Sequence, residues 1–334
     1  MNQKHQIFIC KEFQLGTPAG VATSVYGCRG GSFMWRVNTE KGSYAIKQLA
    51  PVIELKSERM VTKYELSETI AYRFIEFGIP AVSALEKSGK HLIIIDNTGY
   101  LVYPWVEGHT LGRNQISATH SLKIAETIAK LHSINMSVPE IRKPHVDMHT
   151  SDSIVAAINR AAAFKCSFAK TLKDDQSLIL SMNESYLAVI PLLLEDTVVT
   201  HGDLDQLNVL WDKEDQPFLI DWESARKLNP TREIVRTSLS WSGIGAENFS
   251  LPIYANMLHT YTKSGGTLNI NHVNAALYSM VGSMVNWMRY NIELACTSDV
   301  LSTRNTATEE IVWAVMTMKR LKKLVPDLLD YAVS

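Results

Sequence analysis

The chain has 334 residues, with 33 lysines and arginines against 34 aspartates and glutamates, a formal net charge of −1. At about 150 residues per domain, this length implies two lobes and a substantial core. The charge balance excludes a sequence-wide pull on nucleic acid or anionic membrane, though not a local basic patch. Hydrophobic residues at 46% and charged ones at 20% exclude extensive disorder. Four cysteines, Cys10, Cys28, Cys166 and Cys296, form no CxxC pair, which excludes a zinc ribbon and a dense disulfide framework. The opening MNQKHQIFICKEF is too polar for a secretory signal. The apolar run at 188–194 falls well short of the roughly 18–20 residues that span a bilayer. The expectation is a soluble, cytoplasmic chain, monomeric, with no nucleic-acid or membrane partner.

In chain order, 31–37 and 42–49 are aromatic and β-branched runs joined by the polar turn NTEK, which predicts a hairpin. A helix follows over about 60–77; Ile70, Phe74 and Phe77 carry its apolar face, and Gly78 with Pro80 stops it. The segment 91–106 predicts a second hairpin, with Asn97, Thr98 and Gly99 at its turn. After Gly108 the pattern turns helical. Leu122, Ala125, Ile128, Ala129 and Leu131 give 117–134 a core-facing stripe, and similar periodicity runs through 176–194, 272–295 and 307–331. One β-rich island interrupts the helices at 198–222. Strands first and helices later, with a small hairpin among the helices, predict an α+β two-lobe fold with a sheet-rich lobe over 1–103, a hinge at 104–108 and a helical lobe over 109–334. Functional groups are expected where the lobes meet.

The island carries the chemistry. His201-Gly202-Asp203 is followed by Asn208, then by the strand 209–211, a polar turn, and Phe218-Leu219-Ile220-Asp221-Trp222. Two apolar strand ends thus present Asp203, Asn208 and Asp221 close together. A carboxylate and an amide oxygen are hard ligands suited to Mg²⁺, and a further carboxylate can accept a proton. Each acid could instead cap a turn, but three such groups at these spacings argue for a site.

HxDxxxxN with a second Asp 18 residues on resembles the catalytic and metal-binding segments of protein kinase-like phosphotransferases. The version HGDLDQLNVLW…LIDWESA resembles the aminoglycoside phosphotransferase and choline kinase-like branch, and the likeness extends over nearly the whole chain. LVYPWVEG at 101–108 resembles that branch's interlobe hinge, and AKLH at 129–132 its helix before the catalytic loop. The resemblance implies a protein kinase-like two-lobe fold and a kinase that moves the γ-phosphate of ATP, or of GTP in its place, to a hydroxyl of a small molecule. Asp203 would be the base, and Asn208 and Asp221 would hold Mg²⁺.

Lys47 lies on a predicted strand between apolar neighbours, either as an exposed strand-end lysine or as the nucleotide lysine that touches the α- and β-phosphates; the downstream motif favours the second. A buried ammonium needs an anionic partner. Glu68 is preferred to Glu65, because Tyr72 and Ile75 then face the lobe core at its i+4 and i+7 positions. Tyr26-Gly27-Cys28-Arg29-Gly30-Gly31-Ser32 departs from GxGxxG; it is either a hairpin turn or a cradle whose backbone N–H groups, at Gly30, Gly31 and Ser32, meet phosphates. By resemblance, Tyr103 would guard the back of the adenine pocket, with Pro104 offering its carbonyl and Val106 its N–H to the base; a plain edge strand would read the same.

His145, Asp147 and His149 read as a polar connection, since no fourth metal ligand is evident. His132 reads as a packed histidine, and Glu233 resembles the acid that braces the catalytic loop, where Asp is usual. Glu223 faces either substrate or its own loop. Gly202 stands where many regulated protein kinases have Arg, and no APE-like segment follows, so a small-molecule acceptor is favoured. Trp287, Tyr290 and Glu293 either flank that acceptor or pack as core. Arg226, Lys227, Arg232 and Arg236 argue against a polycationic aminoglycoside, leaving a sugar, amino alcohol or related metabolite equally open. A nucleotide-binding pseudokinase and a metal-dependent phosphohydrolase around His201, Asp203 and Asp205 are the competing classes.

Overall fold

Short apolar runs closed by polar turns build an antiparallel sheet at the start of the chain. A computed structural model describes residues 1–25, 31–112, 114–141, 144, 146, 148–246 and 248–333. Its elements begin with α1 (Gln3–Glu12), β1 (Thr23–Val25), β2 (Phe33–Thr39), β3 (Gly42–Gln48), α2 (Glu58–Glu76), β4 (Ile93–Ile95) and β5 (Thr98–Pro104). There follow α3 (Ala118–Ser133), α4 (Ser151–Ala163), α5 (Ala169–Asp174), α6 (Gln176–Val189), β6 (Val198–Thr200), β7 (Val209–Trp211), β8 (Pro217–Leu219) and β9 (Arg226–Leu228). The chain ends with α7 (Pro230–Trp241), α8 (Leu251–Lys263), α9 (Ile270–Thr297) and α10 (Leu301–Val333). Two compact units result, one of Met1–Thr110 with Leu207–Ala225, the other of Leu111–Gln206 with Arg226–Ser334. The architecture is α+β, as the sequence predicts.

The first unit has a five-stranded sheet in the order β1-β2-β3-β5-β4. The hairpin of β2 and β3 closes at Thr39↔Gly42. The second hairpin closes at Ile95↔Thr98, so its turn residues are Asp96 and Asn97, both at positive φ. This corrects the expected turn at Asn97, Thr98 and Gly99. Asp and Asn tolerate the left-handed conformation that a tight, twist-matched hairpin requires at both central positions. Gly99 is instead inside β5, where an added Cβ would lie 2.8 Å from Leu49 Cδ1. Helix α1, absent from the sequence reading, places Ile9 and Cys10 against Val37, Ile46, Tyr100 and Val102. On α2, Ile70 and Phe74 are buried as expected, whereas Phe77 is exposed at the C-cap.

The hairpin of β7 and β8 is distant in sequence but is fastened to this unit by backbone hydrogen bonds. Val82 N donates to Leu219 O at 2.9 Å and Leu219 N to Pro80 O at 2.7 Å. His109 and Trp211 exchange a pair of bonds at 3.0 and 2.8 Å. Phe74 stacks on Trp222 with centroids 5.3 Å apart.

In the helical unit, Ser117 caps α3 and His120 completes a capping box, the signature of a helix start. The stripe of Ala125, Ile128, Ala129 and Leu131 is buried. Gly282 lets α9 approach α6 closely, since a Cβ there would meet the Tyr186 ring at 2.4 Å. Strand β6 pairs with β9 in the register Val198↔Leu228 to Thr200↔Arg226, so the loop after β6 is held next to the start of α7. Among the described residues no helix is long and apolar enough to cross a membrane.

Candidate active site

The loop after β6 carries Asp203, and its shape begins with Gly202. That residue has φ +79°, a conformation that costs an L side chain strain, which accounts for glycine in the middle of the triplet. Both backbone groups of Gly202 are held. Its N–H donates to Glu233 Oε1 at 3.0 Å, and its carbonyl accepts from Arg226 Nη2 at 3.2 Å. Glu233 Oε2 meets His132 Nε2 at 2.8 Å, and Tyr261 Oη lies 2.8 Å from His132 Nδ1. Burial alone would raise the Glu233 pKa, but the hydrogen bond and charge of His132, with bonds from Thr200 and Gly202, bring it below its ordinary value. Glu233 thus braces the loop despite its extra methylene, and His132 is a packed, hydrogen-bonded histidine.

Asp203 is half-buried, with Oδ1 3.6 Å from Arg236 Nη2. A small open pocket of about 40 Å³ adjoins it, walled by the loop and by one side of α7, with Arg232 and Arg236 among its lining residues.

In the first unit, Ile220 N donates to Asn208 O at 3.0 Å, continuing the β7–β8 ladder by one pair. Asn208 thus opposes Ile220, and Asp221 follows at the hairpin's open end. Asp221 adopts a left-handed conformation, φ 61° and ψ 60°, unusual outside glycine and asparagine and concentrated at functional sites. Its Oδ1 lies 3.0 Å from Lys47 Nζ, and Glu223 Oε1 lies 2.6 Å from the same ammonium. Burial would lower the lysine's pKa; the two carboxylates outweigh it and hold the ammonium above its ordinary value. The donor set at the hairpin end, one carboxylate and one amide, suits Mg²⁺, which keeps water and phosphate oxygens in most of its positions.

The expected pairing of Lys47 with Glu68 is not what the structure shows. Glu68 is buried, but Oε2 accepts from Ala84 N and Oε1 from the Tyr103 hydroxyl, both at 2.7 Å. Burial pushes its carboxyl up to about 7, against smaller opposing effects of those bonds and of Lys47. The helical reasoning chose the right residue for burial for the wrong reason. Tyr72 and Ile75 are exposed, while Tyr64, Ala71 and Phe74 share the buried face of α2. Glu65 is not the partner either, because it accepts from the N–H groups of His91 and Leu92. The sequence reading thus missed Glu223 as a partner of Lys47; its only signal was an acid two residues after Asp221.

Gly30 lies outside the described residues, as do His145 and Asp147. Gly31 has φ +80°, and Ser32 Oγ accepts from Ala50 N at 3.1 Å, tying the start of β2 to the end of β3. Tyr103 fastens β5 to α2 through Glu68. Pro104 pairs with Tyr44 in the ladder, Trp105 N donates to Ser43 O at 3.1 Å, and Val106 follows as the chain leaves the sheet.

The α9 stretch is engaged with its own surroundings. Trp287 Nε1 donates to Glu310 Oε2 at 2.9 Å and stacks on Tyr290 at 5.5 Å, and Glu293 pairs with Arg160 at 2.9 Å. Trp287, Tyr290 and Glu293 are not among the residues lining the pocket at Asp203.

A family model described as phosphotransferase enzyme family matches residues 29–260. A comparison with curated proteins gives no match. Among solved structures, the fold is similar to spectinomycin phosphotransferase in complex with ADP and spectinomycin, at 14% identity and a TM-score of 0.71, covering 97% of this chain and 99% of that one. It is also similar to an ethanolamine kinase of Plasmodium vivax, at 15% identity and TM-score 0.58 over 94% and 89% of the two chains. A choline kinase from Streptococcus pneumoniae gives 13% identity and TM-score 0.58 over 94% and 99%. At these identities the likeness is one of fold.

Proposed function

The chain belongs to the phosphotransferase enzyme family and is a small-molecule kinase, and from that premise we propose that it moves the γ-phosphate of ATP to a hydroxyl of its acceptor, with Asp203 as base. The observation that carries this reading is the meeting of Lys47 with Asp221 at 3.0 Å, two residues 174 positions apart in sequence, beside Asn208 at the hairpin end. That set is what a triphosphate with its metal requires. Lys47 would bind the α- and β-phosphates, exchanging its carboxylate partners for phosphate oxygens when nucleotide arrives. Mg²⁺ held by Asn208 and Asp221 would neutralise charge on the phosphates as it builds. Backbone N–H groups at Gly31 and Ser32 would face the phosphates, and Pro104 and Val106 would offer a carbonyl and an N–H to the base. Nucleotide binding is further supported by solved relatives of this fold, crystallised with ADP or AMP.

On the acceptor side, the hydroxyl would donate to Asp203. The acceptor oxygen bonds to phosphorus as the bond from phosphorus to the β-γ bridging oxygen breaks. The hydroxyl proton passes to Asp203, and ADP leaves. In a loose transition state the base has little bond-making to drive, so alignment is most of its task. The brace from Glu233 through Gly202 supports that alignment. The acceptor is a small hydroxylated molecule.

Asp203→Asn tests the reading. It should lower kcat by about 10²–10⁴ while leaving ATP affinity and thermal stability near the parent values. Transfer at the parental rate would overturn it.

A further inference from the structure

The pocket beside Asp203 presents a buried guanidinium that makes no ion pair among the described residues. Arg232, on the first turn of α7, is only 7% exposed. Among the described residues its guanidinium has no ion pair and no side-chain hydrogen bond; only its backbone N–H is engaged, donating to Asn229 Oδ1 at 3.3 Å. Its side chain lines the pocket together with Asp203, Asp205, Glu233, Arg236 and Ser240. Of the carboxylates there, Glu233 attracts the Arg232 charge but is bonded to Gly202 and His132, and Asp203 lies by Arg236. Burial, together with the like charges of Arg236 and Arg226, pushes the Arg232 guanidinium down to about 10, against smaller opposing effects of Tyr186 and Glu233. The N-terminal end of the α7 dipole adds positive potential. A buried cation in such company is costly without an anion.

We propose that this pocket binds an anionic group, a carboxylate or a phosphate monoester, carried by the phosphoryl acceptor itself. The proposal rests on the phosphotransferase reading and narrows it. The substrate is a small hydroxylated acid, its hydroxyl at Asp203 and its charge on the forked donors of Arg232, with Arg236 alongside. A guanidinium matches either anion through two parallel hydrogen bonds. At about 40 Å³ the pocket suits one compact group. A polycation would add its charges to those of Arg226, Arg232 and Arg236.

The test has a binding arm and a transfer arm. With saturating ADP and Mg²⁺ filling the nucleotide site, inorganic phosphate and acetate are titrated calorimetrically into the parent, Arg232→Gln and Arg232→Lys at matched ionic strength. The parent should bind at least one of the two anions, and Arg232→Gln should weaken binding about 10–100-fold, with partial recovery in Arg232→Lys. Preference for phosphate or for acetate tells the two anion sources apart. No anion binding by the parent, or binding unchanged in Arg232→Gln, overturns the proposal; so does binding lost in Lys47→Met but kept in Arg232→Gln, which assigns the anion to the nucleotide side.

In the transfer arm, hydroxy acids and sugar phosphates are compared with neutral and cationic alcohols of like size, reading ADP formation and product mass. The parent should prefer the anions, and Arg232→Gln should lose that preference through KM for the acceptor. Transfer to neutral or cationic acceptors, with relative rates unaltered by Arg232→Gln, overturns the anion proposal and leaves the phosphotransferase reading standing. ADP formation as fast in Asp203→Asn as in the parent defeats the phosphotransferase reading, while the binding arm still decides the pocket.

Discussion

Glu68 is the group whose replacement tests the energetics of this structure most directly. It is 1% exposed, no cation among the described residues pairs with it, and burial pushes its carboxyl up to about 7 from the ordinary 4.5. Burial is the main cause; the N–H of Ala84, the hydroxyl of Tyr103 and the charge of Lys47 offset only part of it. Between pH 4.5 and about 7 the folded chain keeps a proton that the unfolded chain has released. Stability therefore falls as pH rises across that window and levels off above it. At 1.36 kcal/mol per pH unit, the ionised group costs about 3 kcal/mol by pH 8. Glu68→Gln removes the titration and keeps the contacts. The amide oxygen accepts from Ala84 N–H, and the amide NH₂ donates to a Tyr103 hydroxyl that turns from donor to acceptor. Between pH 5 and pH 8 the variant should gain about 2.5 kcal/mol on the parent. Urea melts followed by circular dichroism at pH 5, 6, 7 and 8 would measure the difference between them. Parallel stability curves, or a variant weaker at pH 8, would refute a buried, uncompensated Glu68.

Gly202→Ala forces an alanine to φ +79° and should cost roughly 1–2 kcal/mol, a drop of several degrees in Tm, and should also slow transfer by displacing Asp203. An unchanged melt would contradict the left-handed assignment. Glu233→Ala strips partners from His132 and from the Gly202 N–H, and should destabilise by about 3–5 kcal/mol in a denaturant melt. A loss under about 1 kcal/mol would mean that water replaces the brace.

The residues legible in the sequence are those whose chemistry fixes both type and spacing. Asn208 and Asp221 could be placed on paper at one hairpin end because a short hairpin brings its ends together, and the Ile220-to-Asn208 bond closes that end. Lys47 was legible as a cation on an apolar strand. Its partner was not, because a helical wheel gives a face only relative to an assumed direction. Taking Tyr72 and Ile75 as core rotated α2 away from its true contact, which Tyr64, Ala71 and Phe74 make. The turn at Asp96 and Asn97 was misplaced by one residue because Gly99 looked like the turn glycine, whereas it is a steric necessity under Leu49. Strand β9 went unread since Arg-Lys-Leu has no β pattern of its own and forms only by pairing with β6.

The charge pattern after Asp221 shows the same limit from the other side. Arg226, Arg232 and Arg236 read in sequence as a solvated cationic face, the ordinary fate of arginine. In the structure they divide by position on β9 and α7. Arg226 donates to the carbonyl of Gly202, so a guanidinium still contacts the triplet even though the triplet's own middle residue must be glycine. Arg236 reaches Asp203 at 3.6 Å and offers charge to the site without committing its guanidinium to a tight bond. Arg232 is the buried one of the three, and among the described residues it makes no ion pair, with only the nearby charge of Glu233 to offset its own. One stretch of basic sequence thus supplies a loop support, a neighbour to the base and a buried cation, and only the third calls for a ligand. Burial, which sequence does not display for charged residues, is what separates them.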